Sequence, residues 1–327
     1  MKLVTYRNTA GNKRVGAVIS KEKQDHVVDL NYAFAAYLQE SCNDNRPSEH
    51  ADWLVPADMR ALFEGGDESL GAARQAVTFA QDCGGATSLD IGYRILYPMK
   101  DVKLCAPIKP TKLIHTAGNF REHIDELDQH GIEYKNKAPW IVFYQNVDAI
   151  IGPDEEIKYP TGLTNRLDYE LELAVVLKGK SAHLDEKQAK NVIGGYVIFN
   201  DITARDIQMD ELNNKVFSYC KSLETFCPLG PWIVTADEID DPQNLKMTLR
   251  VNGEPRQVSS TNKMCRSIPE IISHYSGMGY SGGDVLTTGT VSGVAAFSGD
   301  PDAWYLKPGD VIECEIEKVG VLRNYVV

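Results

Sequence analysis

Three acidic side chains recur at alternate positions in one strand-like segment of the sequence. In LDYELELAVVL, Asp168, Glu170 and Glu172 would fall on one face of a β-strand, because successive strand side chains point to opposite faces. Glu170 and Glu172 would lie about 6.6 Å apart at their backbones, close enough for both carboxylates to reach one cation. Carboxylate oxygens are the ligands that hard divalent cations prefer, so the spacing fits a divalent-metal site.

Two explanations of this acidic segment stay open. A strand with its acidic face in water is the commoner one. Against it, the segment continues from Ala174 to Leu177 with apolar residues only, which predicts a strand buried on both faces, where carboxylates need a counter-charge. Asp201, at the end of the strand-like GGYVIFN, is a further candidate ligand, although aspartate at such a position is also a common helix N-cap.

A second constellation pairs a histidine with a glutamate in GNFREHIDE. On a helical turn His123 and Glu126 would be neighbours, and a histidine oriented by a carboxylate can act as a general base near neutral pH. An exposed helical ion pair is the alternative. Lys221, amid apolar and hydroxyl residues, could bind a substrate carboxylate or stabilise an enolate.

The elements that must position these residues are mostly strands. Alternating or continuous apolar patterns predict strands at Lys112–His115, Trp140–Tyr144, Asp168–Leu177, Gly194–Asn200, Trp232–Thr235, Lys246–Val251, Asp284–Thr288 and Asp310–Lys318. Asn252-Gly253 predicts a tight hairpin turn, since both residues tolerate positive φ.

The first hundred residues have a different pattern. Short strands at Lys2–Tyr6 and Val15–Ile19 precede helical spacings at Tyr32–Glu40 and Asp67–Gln81. A proline-punctuated stretch at Lys103–Pro110 predicts a domain boundary near residue 108. We therefore expect a β-rich α+β fold, with a small α+β domain at 1–108 and a catalytic domain at 109–327.

Composition narrows the class of protein. A formal net charge of −12 over 327 residues disfavours nucleic acid and anionic membranes as partners. The seven cysteines form no CxxC pair, and no GxGxxG or Walker pattern is present, so neither a zinc cluster nor a nucleotide is expected. The N-terminal residues lack the apolar core of a signal peptide and no stretch is long enough to span a membrane, which favours the cytoplasm.

Five segments, in this order, resemble the fumarylacetoacetate hydrolase family: GNFREHIDE, LDYELELAVVLKGK, GGYVIFNDITARDIQ, KSLETFCPLGPW and GDVLTTGTVSG. The resemblance spans about residues 112 to 294. It implies a mixed β-roll or distorted β-sandwich, usually homodimeric, in which Glu170, Glu172 and Asp201 bind Mg²⁺ or Mn²⁺. It also implies that His123 and Glu126 form a catalytic dyad assisted by Lys221, and that Arg205, Gln208 and Thr290 bind the substrate.

Two positions depart from the bacterial pattern of that family. Gln145 stands where many bacterial relatives have a lysine, and the loop from Gly289 to Val294 differs from their GTPxGVG. The loop is more similar to that of the fumarylacetoacetate hydrolases proper, whereas the dyad motif is similar to that of the acylpyruvate-type branch.

The leading functional hypothesis is hydrolytic cleavage of a carbon–carbon bond in an acylpyruvate, such as maleylpyruvate or fumarylpyruvate, to pyruvate and a carboxylic acid. The dyad would activate a water molecule, while the metal and Lys221 would stabilise the pyruvate enolate that leaves. The same enolate chemistry serves 2-oxo acid decarboxylases of the oxaloacetate type and dienoate isomerases, which are the alternatives. A noncatalytic ligand-binding protein fits less well, because the dyad is intact.

Overall fold

The structure is a computed structural model that describes residues 1–21, 23–83, 93–131, 139–216 and 218–327. The strands in chain order are β1 (Lys2–Arg7), β2 (Lys13–Lys21), β3 (Gln24–Asp29), β4 (Leu96–Pro98), β5 (Lys103–Cys105), β6 (Leu113–Ala117), β7 (Ile141–Tyr144), β8 (Ile150–Ile151), β9 (Glu156–Ile157), β10 (Leu167–Asp168), β11 (Leu171–Leu177), β12 (Ile193–Asn200), β13 (Thr203–Ala204), β14 (Cys227–Thr235), β15 (Lys246–Val251), β16 (Glu254–Ser260), β17 (Val285–Thr287), β18 (Val311–Ile316) and β19 (Gly320–Val326). The helices are α1 (Leu30–Cys42), α2 (Pro47–Leu54), α3 (Met59–Glu64), α4 (Gly66–Asp82), α5 (Arg121–Gln129), α6 (Glu186–Asn191), α7 (Arg205–Asn213), α8 (Ile268–Tyr275) and α9 (Pro301–Trp304).

One large sheet runs through both parts of the chain. Its twelve strands include the ordered path β4-β3-β2-β1-β14-β12-β11-β17-β6-β7, with β5 on β1 and β8 on β14. Most pairs are antiparallel, but β17–β6 and β14–β8 are parallel, so the sheet is mixed. Strand β1 pairs directly with β14, which joins the first hundred residues to the rest of the chain. The domain boundary near residue 108 stays a prediction.

The N-terminal helices cover one end of this sheet. Helix α1 starts at the N-cap Asp29, whose side chain accepts the Tyr32 backbone N–H. Leu30, Ala33 and Phe34 of α1 are buried in a cluster that also contains alanines of α4. The two helical spacings read from the sequence lie inside α1 and α4.

A second sheet of five strands, in the order β16-β15-β18-β19-β9, packs against the large one. Their facing side chains form the main hydrophobic core, with Tyr196 and Ile198 from β12 and Ile316 and Leu322 from the smaller sheet. The predicted hairpin is present, because β15 and β16 are joined by Asn252 and Gly253 with φ of 52° and 82°. The expected β-rich α+β class is confirmed.

The predicted strand Asp168–Leu177 is wrong as a single element. It divides into β10, which pairs with β13, and β11, which pairs with β12 and β17. The strand is interrupted because side-chain oxygens, instead of a neighbouring strand, accept its backbone N–H groups. Asp168 accepts the N–H of Tyr169 at 2.8 Å, and Asn200 accepts that of Glu170 at 3.0 Å. All seven residues of β11 are buried, as its apolar run predicts.

Candidate metal centre and active-site cavity

A cavity of about 610 Å³ opens at the ends of β11 and β12. The structure brings eight of the predicted site residues together on its wall: His123, Glu170, Glu172, Asp201, Arg205, Gln208, Lys221 and Thr290. Glu126, the ninth, contacts His123 but is not part of the wall. Apolar side chains, among them Leu127, Phe143 and Phe297, line the remainder.

Strand register places the three carboxylates. Leu171 pairs with Asn200 across β11 and β12, so Glu170 and Asp201, one residue further at the same end, lie opposite each other. The Asp201 N–H donates to the Glu170 carbonyl at 2.9 Å, which fixes this arrangement. Glu172 follows two residues later and points to the same side as Glu170. Asp201 is not a helix cap, since α7 begins at Arg205 with Ala204 as its N-cap residue.

Lys221 lies between two of these carboxylates. Its ammonium Nζ is 2.9 Å from Glu170 Oε2 and 2.6 Å from Asp201 Oδ2, and it donates to Thr203 Oγ1 at 2.8 Å. Burial alone would lower the pKa of Lys221, but Asp201 and Glu170 outweigh it and raise that pKa. Lys221 is therefore a buried cation at neutral pH.

Arg205, the first residue of α7, bridges three side chains. Its Nε donates to Asp168 Oδ2 at 2.7 Å, a second guanidinium nitrogen lies 2.6 Å from Glu170 Oε1, and the third donates to Gln208 Oε1 at 2.8 Å. Asp168 also accepts the N–H groups of Ala295 and Ala296. Asp168 thus orients Arg205 instead of lining the cavity.

Glu172 has the least compensation of the three carboxylates. Its Oε2 accepts the Gly289 N–H at 3.0 Å, and no lysine or arginine in the described ranges forms an ion pair with it. Gly289 has a φ of 88°, and a Cβ there would meet the Thr116 carbonyl at 3.0 Å, so glycine is required for this contact. Burial, Asp201 and Glu170 raise the pKa of Glu172 well above its usual range.

The other two carboxylates differ from Glu172 because cations contact them. Burial raises the pKa of Asp201 to about 6, although Lys221 opposes the shift. For Glu170, burial acts upward but Lys221 and Arg205 prevail, and the pKa is lowered to about 2. The deficit of positive charge is thus concentrated at Glu172 and Asp201.

The charges of the cluster fit a divalent cation. Among the described residues, four buried carboxylates (Asp168, Glu170, Glu172 and Asp201) face two buried cations (Arg205 and Lys221), so full ionisation would leave two negative charges uncompensated. Burying such an excess is costly unless a counter-ion is present. The donors are oxygens, the type that Mg²⁺ and Mn²⁺ accept. Glu170, Glu172 and Asp201 are therefore suited to hold a divalent metal.

The dyad has the geometry that its spacing predicts. In α5, His123 Nδ1 lies 2.9 Å from Glu126 Oε2, and the other oxygen of Glu126 accepts the Gly293 N–H at 3.0 Å. Glu126 is thus fixed at both oxygens and holds the imidazole ring at the cavity wall. His123 is 8% exposed, so the pair is not a solvent-exposed surface ion pair.

Thr290 and Gln208 reach the cavity while engaged elsewhere. Thr290 Oγ1 donates to the Leu171 carbonyl at 3.2 Å and accepts from Gln257 at 3.1 Å, whereas Gln208 accepts from Arg205. Both residues order the cavity wall, and their roles in substrate binding stay predictions.

Sequence reasoning assigned no role to two buried residues beside the carboxylates. Gln145 donates through Nε2 to Asp201 Oδ1 at 3.1 Å and to the Lys221 carbonyl. His115, on β6, places Nδ1 3.9 Å from Asp201 Oδ2. In the sequence, Gln145 stands out only as the departure from the family pattern described above, and His115 only as a polar residue inside a predicted strand.

No helix in the described part of the chain is long and apolar enough to cross a membrane. The cytoplasmic location stays a prediction.

Residues 112–327 match the family model described as fumarylacetoacetate (FAA) hydrolase C-terminal. The oxaloacetate tautomerase YisK of Bacillus subtilis is 37% identical over 275 residues, which cover 83% of this chain and 87% of that protein.

Solved structures share the fold. A fumarylacetoacetate hydrolase from the psychrophilic Exiguobacterium antarcticum is 30% identical with a TM-score of 0.71, over 100% of this chain and 99% of that one. Maleylpyruvate hydrolase from Sphingobium sp. SYK-6, solved with manganese(II) and pyruvate, is 24% identical with a TM-score of 0.70 over the same shares of the two chains, which shows the fold alone.

Proposed function

Because this chain belongs to the fumarylacetoacetate hydrolase family, we propose that it is a divalent-metal-dependent enzyme that interconverts the keto and enol forms of a dicarboxylic 2-oxo acid of the oxaloacetate type. The name of the 37% identical Bacillus subtilis relative supports tautomerisation, whereas the likeness to maleylpyruvate hydrolase supports only the fold. Hydrolysis of an acylpyruvate, the leading hypothesis from the sequence, therefore becomes the second candidate. The acylpyruvate-hydrolase branch is likewise not confirmed.

The observation that carries the proposal is the buried ammonium of Lys221 on the cavity wall beside an unbalanced set of carboxylates. An enolate has its negative charge on the former 2-oxo oxygen, and fixed cations in a buried site stabilise such a charge strongly. Since Asp201 and Glu170 raise the pKa of Lys221, this residue is a cation at neutral pH and can pair with the enolate oxygen.

A Mg²⁺ or Mn²⁺ ion held by Glu170, Glu172 and Asp201 would supply Lewis-acid chemistry at the 2-oxo group. Arg205 is placed to pair with a substrate carboxylate, because its guanidinium lies on the cavity wall and is held there by Asp168. Gln208 keeps the guanidinium in its orientation.

His123 is the residue placed to move the proton at carbon. Oriented by Glu126, its ring can accept a proton from carbon 3 of the keto form, while Lys221 donates one to the 2-oxo oxygen. The protons lost by carbon and gained by oxygen balance, so no water is consumed. The reverse direction uses the same two residues with their roles exchanged.

The test uses purified protein with saturating Mg²⁺ and freshly dissolved enol-oxaloacetate. Loss of the ultraviolet absorbance of the enol should be faster than the spontaneous and Mg²⁺-only rates, and NMR should show keto-oxaloacetate as the product. An unchanged rate with both Mg²⁺ and Mn²⁺ would contradict tautomerisation.

The second candidate, acylpyruvate hydrolysis, is favoured by one observation. The His123–Glu126 pair is fixed on the cavity wall, where it can also deprotonate a water molecule. Incubation with maleylpyruvate, fumarylpyruvate and acetylpyruvate should then release one pyruvate per substrate. Release of carbon dioxide from oxaloacetate would indicate a decarboxylase instead. The 2-oxo acid substrate and the homodimer stay predictions.

A further inference from the structure

His115 is a buried residue that the proposed mechanism does not use. It lies on β6, is 1% exposed, and does not line the cavity, whereas Glu172 and Asp201 do. The imidazole therefore lies on the side of these two carboxylates that faces away from the cavity. Burying a polar ring costs free energy unless its nitrogen atoms find partners.

Three potential ligand atoms converge at this point. One atom each from His115, Glu172 and Asp201 lie within 4.8 Å of one another, and all three residues are buried. Donors on opposite sides of a transition-metal ion are about 4.2 Å apart, because each bond is about 2.1 Å long. The ligand atoms of one ion therefore lie no farther apart than this limit, and small side-chain rotations would bring the three atoms within it.

Three neighbouring side chains fix the ring of His115. Nδ1 lies 3.1 Å from Thr287 Oγ1, while Phe143 stacks on the ring at 4.7 Å and Phe199 meets it edge-on at 5.1 Å. Nε2 is buried and has no hydrogen-bond partner in the described structure. Nδ1 is also the ring nitrogen that lies 3.9 Å from Asp201 Oδ2, so it would bind the ion by exchanging its contact with Thr287.

The uncompensated charge lies beside this ring. Lys221 contacts Glu170 and Asp201, and Arg205 contacts Glu170, which leaves Glu172 without a cation among the described residues. A cation bound between Glu172, Asp201 and His115 would compensate the deficit. Its side toward the cavity would stay open to substrate oxygens.

We propose that His115 is a protein ligand of the bound cation, additional to the carboxylates, and that it shifts the preference of the site toward first-row transition metals. Imidazole nitrogen suits these ions, whereas Mg²⁺ prefers oxygen. The inference rests on the proposed metal-dependent function and adds a ligand that neither the motif spacing nor the family resemblance indicates.

Pulsed EPR of the Mn²⁺-loaded full-length protein tests the ligand directly. We expect a nitrogen coupling that changes from the ¹⁴N to the ¹⁵N pattern when histidine is ¹⁵N-labelled, persists in His123→Gln, and is lost in His115→Gln. A Mn²⁺ signal without histidine coupling, or a coupling that His123→Gln removes, would overturn the proposal. The coupling should likewise persist in His130→Gln, at the other histidine of the cavity wall, so labelled wild type and these two variants decide the question without relying on the folding of His115→Gln.

Calorimetric titration tests the preference. His115→Gln should weaken Co²⁺ binding about tenfold or more while Mg²⁺ affinity changes less than about threefold, and His274→Gln, at an exposed histidine, should change neither. Equal loss for both metals would refute the shift in preference. Failure of wild-type protein to bind Mn²⁺, Co²⁺ and Mg²⁺ would contradict both the proposed metal-dependent function and this inference. Metal binding without a histidine coupling would contradict this inference alone.

Discussion

Two buried charge clusters in this molecule differ in how their charges are balanced. In the N-terminal part, Asp29 is fully buried and accepts from Arg14 at 2.6 and 2.9 Å, from the Tyr6 hydroxyl at 2.7 Å and from the Tyr32 N–H at 3.0 Å. In this cluster one carboxylate is paired with one guanidinium group. Beneath the cavity, in the part of the chain that the structure describes, four carboxylates lie beside two cations, and buried atoms such as His115 Nε2 have no hydrogen-bond partner.

The comparison separates charges that stabilise the fold from charges that bind a ligand. A satisfied pair needs nothing further, and removing one partner leaves a buried charge. An unbalanced cluster is destabilising by itself and persists only where another group completes it. We therefore expect the two clusters to respond oppositely to mutation, metal and pH.

The largest effect is expected on turnover at the cavity. His123→Ala should lower kcat roughly 10²- to 10⁴-fold, because the residue that moves the proton is lost. Calorimetry should show unchanged Mg²⁺ affinity, since His123 is not among the proposed metal ligands. His130→Ala, at another histidine of the cavity wall, is the matched control and should retain most activity. Turnover within threefold of wild type in His123→Ala would refute the assigned role.

The next effect concerns the balanced cluster and should appear in stability. Asp29→Ala leaves Arg14 buried without its partner and removes the cap of α1, so the free energy of unfolding should fall by about 3–5 kcal/mol. Urea denaturation measures this loss. Asp25→Ala, at an exposed position of the same strand, should cost less than about 0.5 kcal/mol. A loss of activity larger than the loss of folded protein would show that the N-terminal cluster is not purely structural.

The unbalanced cluster should make metal-free protein less stable as pH rises. Because the pKa of Asp201 is raised from 3.8 to about 6 and that of Glu172 is raised as well, the folded state keeps protons that the unfolded chain has released. Its stability is thus greatest below about pH 4 for these groups and declines through pH 6. We expect a loss of about 2 kcal/mol between pH 5 and pH 8 in EDTA, measured by urea denaturation.

Metal should reverse this decline. At a concentration of 100 times Kd, Mg²⁺ should add about 2.7 kcal/mol at pH 8, and Glu172→Gln in EDTA should flatten the pH dependence. Stability that rises with pH in EDTA would contradict an excess of buried carboxylates.

The smallest effect is expected at a surface pair outside both clusters. Arg74 of α4 lies 2.9 Å from Asp237, and both side chains are about half exposed. Arg74→Ala should change the free energy of unfolding by less than about 1 kcal/mol and leave kcat unchanged. A loss above about 2 kcal/mol would show that an exposed ion pair contributes substantially to the free energy of unfolding.

Hydrophobic periodicity and turn residues predicted those parts of the structure that depend on residues close together in the chain. The apolar run after Glu172 gives the buried strand β11, and Asn252-Gly253 gives the hairpin, because alternation and turn conformation are local properties. The segment from Asp168 to Glu170 behaved differently, since its backbone donors bond to side chains instead of a neighbouring strand.

The site could be predicted only where spacing or family resemblance named its residues. That Asp201 lies opposite Glu170 depends on the register between two strands, and His115 reaches Thr287 across 172 positions of sequence. Such contacts are set by sheet topology, which a single segment does not reveal. Hydrolysis and tautomerisation both pass through the enolate of a 2-oxo acid, so the motif residues alone do not separate these reactions.

The pairing of β1 with β14 joins the two parts of the chain in one sheet. Strand β14 also pairs with β12, whose end carries Asp201, so β1 covers an edge only one strand away from the site. A chain shortened to residues 109–327 would expose that edge, and bare strand edges recruit other chains. A truncation at residue 108 should therefore yield aggregates instead of an active catalytic domain. A different N-terminal segment fused at this point would need a strand that pairs with β14 in place of β1.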